Sequence, residues 1–342
     1  MPIKFDMAVQ AVDDLGSIPG LAATAEAFGF DGLWATEVDH NPYVQLALAS
    51  TTTERIELGT AVALSFTRSP MATAYACWDL AALTKGKFLL GLGTQVKAHN
   101  ERRFSVPWSG PAVPRLREVI EAMRHIWHVW RTGEKLDYKG EYYSFSLMTP
   151  FFTPARHQYD IPIYIAGVNT GLSKLAGRIA DGFHVHPLNS AKYLREVVLP
   201  AIQEGADDEG RSLDDISISG SVFVITGEND NQKAFWKEFV KQQISFYAST
   251  PSYAVIFDTH GWTEIREQLS QMARKKQWGD MGALISDEML DTLAIVGEPD
   301  EIGAKLIARY DGLLDRITPY IPFVPGQMDA FWKASIETFA NQ

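Results

Sequence analysis

The sequence is poor in cysteine and in positive charge, and it has no long apolar run. Cys77 is the one cysteine in 342 residues, which excludes an internal disulfide. Lysine and arginine number 31 against 42 aspartates and glutamates, a formal net charge of −11. This balance argues against a nucleic-acid partner, because phosphate binding needs a basic face. No stretch reaches membrane-span length and the first residues lack the apolar core of a signal peptide, so we expect a cytoplasmic protein without a membrane partner.

Several ligand-binding motifs are missing as well. Gly91 and Gly93 are followed by Thr94 and Gln95 and not by the third glycine of a dinucleotide-binding turn, and the chain has no P-loop. A doubly wound sheet is therefore the weaker alternative for the fold. Histidines do pair at short spacing, but none of these pairs has a recognisable third ligand, and no metal site is predicted.

What the chain does contain is a repeated strand-then-helix pattern. Eight apolar strand segments are each followed by a segment of helical periodicity, which indicates a single (β/α)8 TIM barrel over residues 1–342. The predicted strands cover residues 3–9, 32–35, 56–63, 88–92, 161–166, 182–186, 216–226 and 316–321. Two insertions interrupt the pattern: a β-hairpin excursion over residues 134–155 and a helical insertion over residues 229–293, expected above the barrel mouth.

The ends of the third and fourth strands predict where function lies. Both strands end in small and polar residues, Gly59-Thr60 and Gly93-Thr94, where a purely structural strand would carry packing residues. In α/β barrels the ligand site is built at the carboxyl ends of the strands. We therefore expect the site at this end of the barrel.

Several segments in order carry a family resemblance. They are Gly29–Trp34 with Glu37, Glu54–Thr60, Leu80–Gly93, Ile161–Gly167 and Ala180–Gly182. This ordered set resembles the bacterial luciferase-like monooxygenase superfamily. The run Gly91–Phe104, with Pro107-Trp108, is similar to its coenzyme F420 (deazaflavin)-dependent oxidoreductases of actinobacterial type.

The resemblance implies an F420-dependent oxidoreductase that transfers a hydride between the deazaflavin and a small organic substrate. Two alternatives stay open: an FMN-dependent monooxygenase of the same fold that uses a partner reductase and oxygen, and a non-catalytic flavin-binding barrel. The resemblance also implies a homodimer formed through early barrel helices. The helix predicted over Met71–Leu83 carries more apolar residues than one buried stripe needs, in agreement with that expectation.

The resemblance further implies a set of cofactor-binding residues, with a non-proline cis peptide at Ala61–Val62. The set comprises Glu37, Thr60, Ala61, Val62, Gly93, Thr94, Gln95, Ala166, Gly167, Val168, Asn169, Thr170, Gly171 and His186. Residues 166–171 end a strand and begin a helix, whose free backbone N–H groups suit a phosphate. Lys97 and Arg102-Arg103 follow strand four, where they could meet the acidic tail of the deazaflavin.

The proton-transfer group is expected at the end of strand two. Val38 stands where sugar-oxidising deazaflavin relatives have a catalytic histidine, so the usual residue is missing here. His40 is the first candidate because its ordinary pKa lies near neutral pH, with Asp39 and Glu37 as the other two. His184 and His186, which alternate on strand six and so share one face, come next.

Overall fold

A computed structural model describes residues 2–10 and 12–342. Within these residues, eight parallel strands close into a barrel, because the last strand pairs with both the first and the seventh. The strands are β1 (Lys4–Val9), β2 (Gly32–Ala35), β3 (Glu57–Thr60), β4 (Phe88–Gly93), β5 (Ile163–Gly167), β6 (Gly182–Val185), β7 (Ser217–Ile225) and β8 (Arg316–Pro319). The predicted (β/α)8 TIM barrel is confirmed.

Helices cover the outside of the barrel, and some of them begin at recognisable capping signals. Those of the first half are α1 (Ile18–Phe28), α2 (Pro42–Ala49), α3 (Pro70–Leu83), α4 (Lys97–Arg102) and α5 (Ala112–Thr132). Those of the second half are α6 (Thr170–Ile179), α7 (Ala191–Tyr193), α8 (Leu199–Asp207), α9 (Asp230–Ala248), α10 (Ala254–Thr259), α11 (Thr263–Arg274), α12 (Asp287–Leu293), α13 (Ile302–Tyr310) and α14 (Asp329–Ala340). Asn41 and Ser69 cap α2 and α3 ahead of a proline, which suits the first helical turn.

Two predicted elements are broken in the structure. The third strand was expected to run from residue 56 to 63, but β3 ends at Thr60 and a separate strand, Ala63–Leu64, pairs with β4. The backbone N–H of Leu64 bonds instead to the Glu37 carboxylate at 2.7 Å. The helical segment predicted after the sixth strand contains a π-helical stretch at Leu194–Val198, just ahead of Pro200, which has no N–H to continue regular α-helical bonding.

A buried ion network fills the lower part of the barrel. The guanidinium of Arg316 donates to both oxygens of Asp6, at 2.7 and 2.8 Å, and also contacts Glu57. Trp34 donates to the same Asp6 carboxylate at 2.9 Å, and its ring packs against the guanidinium. A Cβ on Gly59 would fall 2.2 Å from the Trp34 ring, so only glycine lets the indole lie across the barrel.

The segments 134–155 and 229–293 differ in secondary structure. Strand Tyr138–Lys139 pairs antiparallel with Ser144–Phe145, and the carboxylate of Glu118 on α5 accepts backbone N–H groups of the turn between them. Residues 229–293 contain α9 to α12. No helix in the described ranges 2–10 and 12–342 is both long and apolar enough to cross a membrane.

Candidate active site

A cavity of about 640 Å³ opens at the carboxyl ends of the barrel strands. Trp34 and His184 form part of its floor, directly above the ion network, and Trp108 lines its wall. The segment after α9 reaches the cavity through Ser252 and Tyr253. The volume and the position are those of a site for a small molecule or cofactor.

One wall of the cavity consists mainly of small residues and backbone. It is formed by Ala61 and Val62 after β3, residues 93–95 at the end of β4, and residues 166–169 at the end of β5; we call it the backbone wall. The Ala61–Val62 peptide is cis, in agreement with the expectation from sequence. A Cβ on Gly93 would lie 2.5 Å from Cγ2 of Val62, so glycine is needed where β4 passes this wall.

The structure brings ten of the fourteen predicted cofactor residues to this cavity, within the part of the chain that it describes. Those ten are Ala61, Val62, Gly93, Thr94, Gln95, Ala166, Gly167, Val168, Asn169 and His186. Thr170 and Gly171 lie just outside, in the first turn of α6. Asn169 precedes that helix without a side-chain capping bond, so the first N–H groups of α6 are available to an anion.

Glu37 and Thr60, also predicted to bind the cofactor, have protein partners. Both oxygens of Glu37 bond to the Arg68 guanidinium, at 2.6 and 2.9 Å, and one also accepts the Leu64 N–H. Thr60 is buried and its hydroxyl exchanges hydrogen bonds with the Gly91 backbone at 2.7 and 2.9 Å. These contacts make Glu37 and Thr60 supports of the backbone wall, since Leu64 and Gly93 beside them line the cavity.

The predicted proton-transfer residues lie away from the cavity lining. The Nε2 of His40 donates to the Val12 carbonyl at 2.9 Å, and the side chain of Asp39 is exposed. The carboxylate of Glu37 is held by Arg68, as described above. His40 follows β2 in the chain, and its ring is directed to the loop after β1 by the bond to Val12.

His184 and His186 both line the cavity, as their alternation on one strand predicts. Burial, together with the nearby charge of Arg316, lowers the pKa of His184 to about 3. Burial alone lowers the pKa of His186 to about 3. Both rings are therefore neutral at working pH. The Nδ1 of His186 accepts the Leu188 N–H at 3.1 Å, which leaves Nε2 as the nitrogen that carries the proton.

Sequence reasoning missed the wall opposite the backbone wall. It carries hydroxyl groups from β7, β8, the end of β2 and the helical insertion, and we call it the hydroxyl wall. Its residues are Thr36, Ser219, Ser221, Ser252, Tyr253, Thr318 and Tyr320. A signal was present, because Ser217, Ser219 and Ser221 alternate along β7 and so share one face. Among the described residues, no cluster of histidine, cysteine, aspartate and glutamate could hold a metal ion.

Comparison with known proteins agrees with this architecture. The family model of the luciferase-like monooxygenases matches residues 1–316, and the chain belongs to that family. An uncharacterized protein of Mycobacterium tuberculosis (strain ATCC 25618 / H37Rv) is 42% identical over 312 residues, covering 89% of this chain and 92% of the relative.

Two further relatives have named activities. The 5,10-methylenetetrahydromethanopterin reductase of Methanopyrus kandleri is 29% identical, covering 89% of this chain and 88% of the relative. A solved structure of a coenzyme F420-dependent tetrahydromethanopterin reductase from that organism has a TM-score of 0.78 at 23% identity and covers 98% of both chains, a likeness of fold. The F420-dependent glucose-6-phosphate dehydrogenase of Intrasporangium calvum is 33% identical over 208 residues, 56% of this chain and 60% of the relative.

Proposed function

We propose that this protein is a coenzyme F420-dependent oxidoreductase that moves a hydride between the deazaflavin and a small organic substrate. The observation that carries the proposal is the backbone wall, which combines small residues with the available N–H groups of α6 at one end of the cavity. The F420-dependent glucose-6-phosphate dehydrogenase among the relatives supports the choice of F420, and the F420-dependent reductase structure shares the fold.

The residues fit such a cofactor in three respects. Ala61, Val62 and Gly93 leave a shallow surface on which a flat ring can lie. The start of α6 offers N–H groups and a positive helix end to a phosphate. Lys97 lies at the rim beside Thr94 and Gln95, with its side chain 64% exposed, and can meet further negative charge outside the cavity.

Bound F420 would supply a two-electron hydride carrier with little reactivity toward oxygen. The protein's own contribution is to position, desolvate and polarise. Trp34, Trp108 and Tyr253 contribute apolar ring surface to the cavity. His186, held neutral by burial and fixed by Leu188, can donate from Nε2 to a substrate oxygen on which charge develops during transfer.

Side-by-side titration with F420 and FMN tests the cofactor. Trp34 and Trp108 line the cavity and report binding through their fluorescence. We expect F420 to bind more tightly than FMN, and its affinity to fall at high salt because the contacts of Lys97 and α6 are screened. Tighter FMN binding without a salt response would overturn the proposal in favour of the monooxygenase. Binding without any change in cofactor absorbance, with substrate and without oxygen, would favour the non-catalytic barrel.

We also propose that the protein is a homodimer, with the exposed apolar segment next to α3 in its contact face. On α3, Trp78 is buried against Trp130 and stacks on His157, whereas Leu83 is 56% exposed. Tyr75 bonds to the carbonyl of Phe152 at 2.5 Å. The segment that contains Phe152 also exposes apolar side chains. Leu147, Phe151 and Phe152 are 76%, 88% and 58% exposed.

Light scattering at micromolar concentration tests this assembly. Phe151→Asp should convert a dimer to a monomer, since it places a charge in the exposed apolar face. Phe235→Asp is the matched control, because Phe235 is 61% exposed on α9, outside this face. A monomeric parent protein, or equal effects of the two substitutions, would contradict the proposed dimer.

A further inference from the structure

The hydroxyl wall has a regular origin in the barrel. Ser221 on β7 lies in register with Thr318 on β8, so their side chains are neighbours on the inner face. Ser219 and Thr318 are 3% and 5% exposed, and this remaining surface faces the cavity. Tyr253 adds a phenol from the insertion above them. The wall therefore presents several hydrogen-bonding groups to one cavity.

Most of these hydroxyls are free to bind a ligand. Five of them make no hydrogen bond to any other residue in the described ranges, and none is sealed from the cavity: Ser219, Ser221, Ser252, Tyr253 and Thr318. A hydroxyl can both donate and accept, so it can recognise alcohol and carbonyl oxygens alike. Because buried polar groups need partners, this wall indicates a ligand that itself carries oxygen atoms.

The same half of the cavity is free of charge. Among the described lining residues there is no aspartate, glutamate or arginine, and Lys97 is the one ionised side chain, at the rim on the cofactor side. Local electrostatics agree, because burial is the one cause that lowers the pKa of His186 and the main cause that raises the pKa of Tyr253 to about 12. A phosphate or carboxylate bound here would lose its water without gaining a counter-charge.

We infer that the substrate is an uncharged molecule with alcohol or carbonyl oxygens, held by the hydroxyl wall with its reacting oxygen near Nε2 of His186. The inference rests on the proposed function for the reaction, since the hydride must be exchanged with a carrier on the backbone wall. It separates this chain from relatives whose names specify a phosphorylated sugar.

Two pairs of probes that differ in charge test the inference. They are cyclohexylmethanol against cyclohexanecarboxylate, and D-glucitol against D-gluconate. Tryptophan fluorescence of the protein, alone and loaded with F420, gives each affinity. We expect at least one alcohol to bind about tenfold or more tightly than its carboxylate, because the carboxylate would lose its hydration without gaining a positively charged partner. A carboxylate that binds as tightly as its alcohol, or no binding of either alcohol, would overturn the inference.

Substitutions test whether the alcohol binds at the hydroxyl wall. Thr318→Val keeps the shape but removes a hydroxyl, and should weaken alcohol binding about fivefold. Thr24→Val on α1, outside the cavity, is the matched control and should change nothing. Ser221→Lys should shift the preference toward the carboxylate. Equal effects of Thr318→Val and Thr24→Val would contradict the assignment of the wall.

Failure of this inference can be told apart from failure of the proposed function. If F420 binds but the carboxylates are preferred, the substrate class is wrong while the oxidoreductase proposal stands. If F420 does not bind but the protein alone still prefers alcohols, the cofactor proposal fails while the reading of the hydroxyl wall stands.

Discussion

The lower half of the barrel interior contains paired charges, whereas the upper half is lined by neutral groups. Below, Arg316, Asp6 and Glu57 form a buried network in which every charge has a partner. Above, the cavity begins at Trp34 and His184, and its described substrate side has hydroxyls but no ionised group. Paired charge makes a rigid floor, whereas a neutral pocket leaves the chemistry to hydrogen bonds and to the cofactor. The following predictions test this division, from the largest expected effect to the smallest.

Arg316→Met should have the largest effect on stability. It leaves the Asp6 carboxylate buried without its cation, and we expect the free energy of unfolding to fall by about 3–5 kcal/mol. Although burial would lower it, the Asp6 and Glu57 charges raise the pKa of Arg316, which shows how strongly the cation is paired. Urea denaturation measures the change. Arg117→Met breaks the exposed pair with Glu121 and should cost less than about 1 kcal/mol; equal losses would contradict a rigid ionic floor.

His186→Leu should reduce turnover of a bound alcohol or carbonyl substrate by about a hundredfold, since it removes a donor to the reacting oxygen. His186→Gln, which keeps an N–H donor, should recover part of the activity. His40→Ala tests the sequence-based prediction, under which it would itself cost about a hundredfold. Because His40 bonds to the Val12 carbonyl, we expect a loss within about threefold. Steady-state kinetics that reverse this order would place proton transfer at the end of β2.

Glu37→Gln should weaken both stability and F420 binding. The substitution removes the charge that holds Arg68, and we expect a loss of about 1–2 kcal/mol in unfolding free energy. F420 affinity should fall a few-fold because Leu64, which bonds to Glu37, lines the cavity. Asp39→Asn, at an exposed neighbouring position, serves as control for both measurements. Unchanged F420 affinity in Glu37→Gln would show that the backbone wall does not depend on this pair.

Low pH should reduce the free energy of unfolding through the protonation of Glu57 in the ion network. Burial would raise the pKa of Glu57, but Arg316 and Lys4 lower it below its ordinary value of 4.5. The ion pairs therefore contribute stability above the unfolded pKa, and this contribution is lost as the pH falls through the folded pKa. The stability difference between parent and Glu57→Gln should shrink by about 1 kcal/mol between about pH 7 and about pH 3.5. A constant difference would contradict the pairing.

The sequence predicted what depends on local pattern. Strand and helix periodicity predicted the barrel, and small residues at the strand ends predicted the backbone wall, as Gly93 shows. It could not predict partners that lie far apart in the chain. Glu37 resembled a site residue until the fold placed Arg68 against it, 31 positions away. The sequence did not predict the hydroxyl wall for a similar reason, because the serines on β7 and Thr318 on β8 form one surface only when the barrel closes.

The affinity of F420 for two variants tests the division of the cavity most directly. Gly93→Ala places a Cβ 2.5 Å from Val62 on the backbone wall, whereas Thr318→Val alters the hydroxyl wall without changing its shape. We predict that Gly93→Ala weakens F420 binding about tenfold, as overpacking does, while Thr318→Val leaves it within about twofold. Equal losses in the two variants, or a larger loss in Thr318→Val, would contradict the assignment of cofactor and substrate to opposite walls.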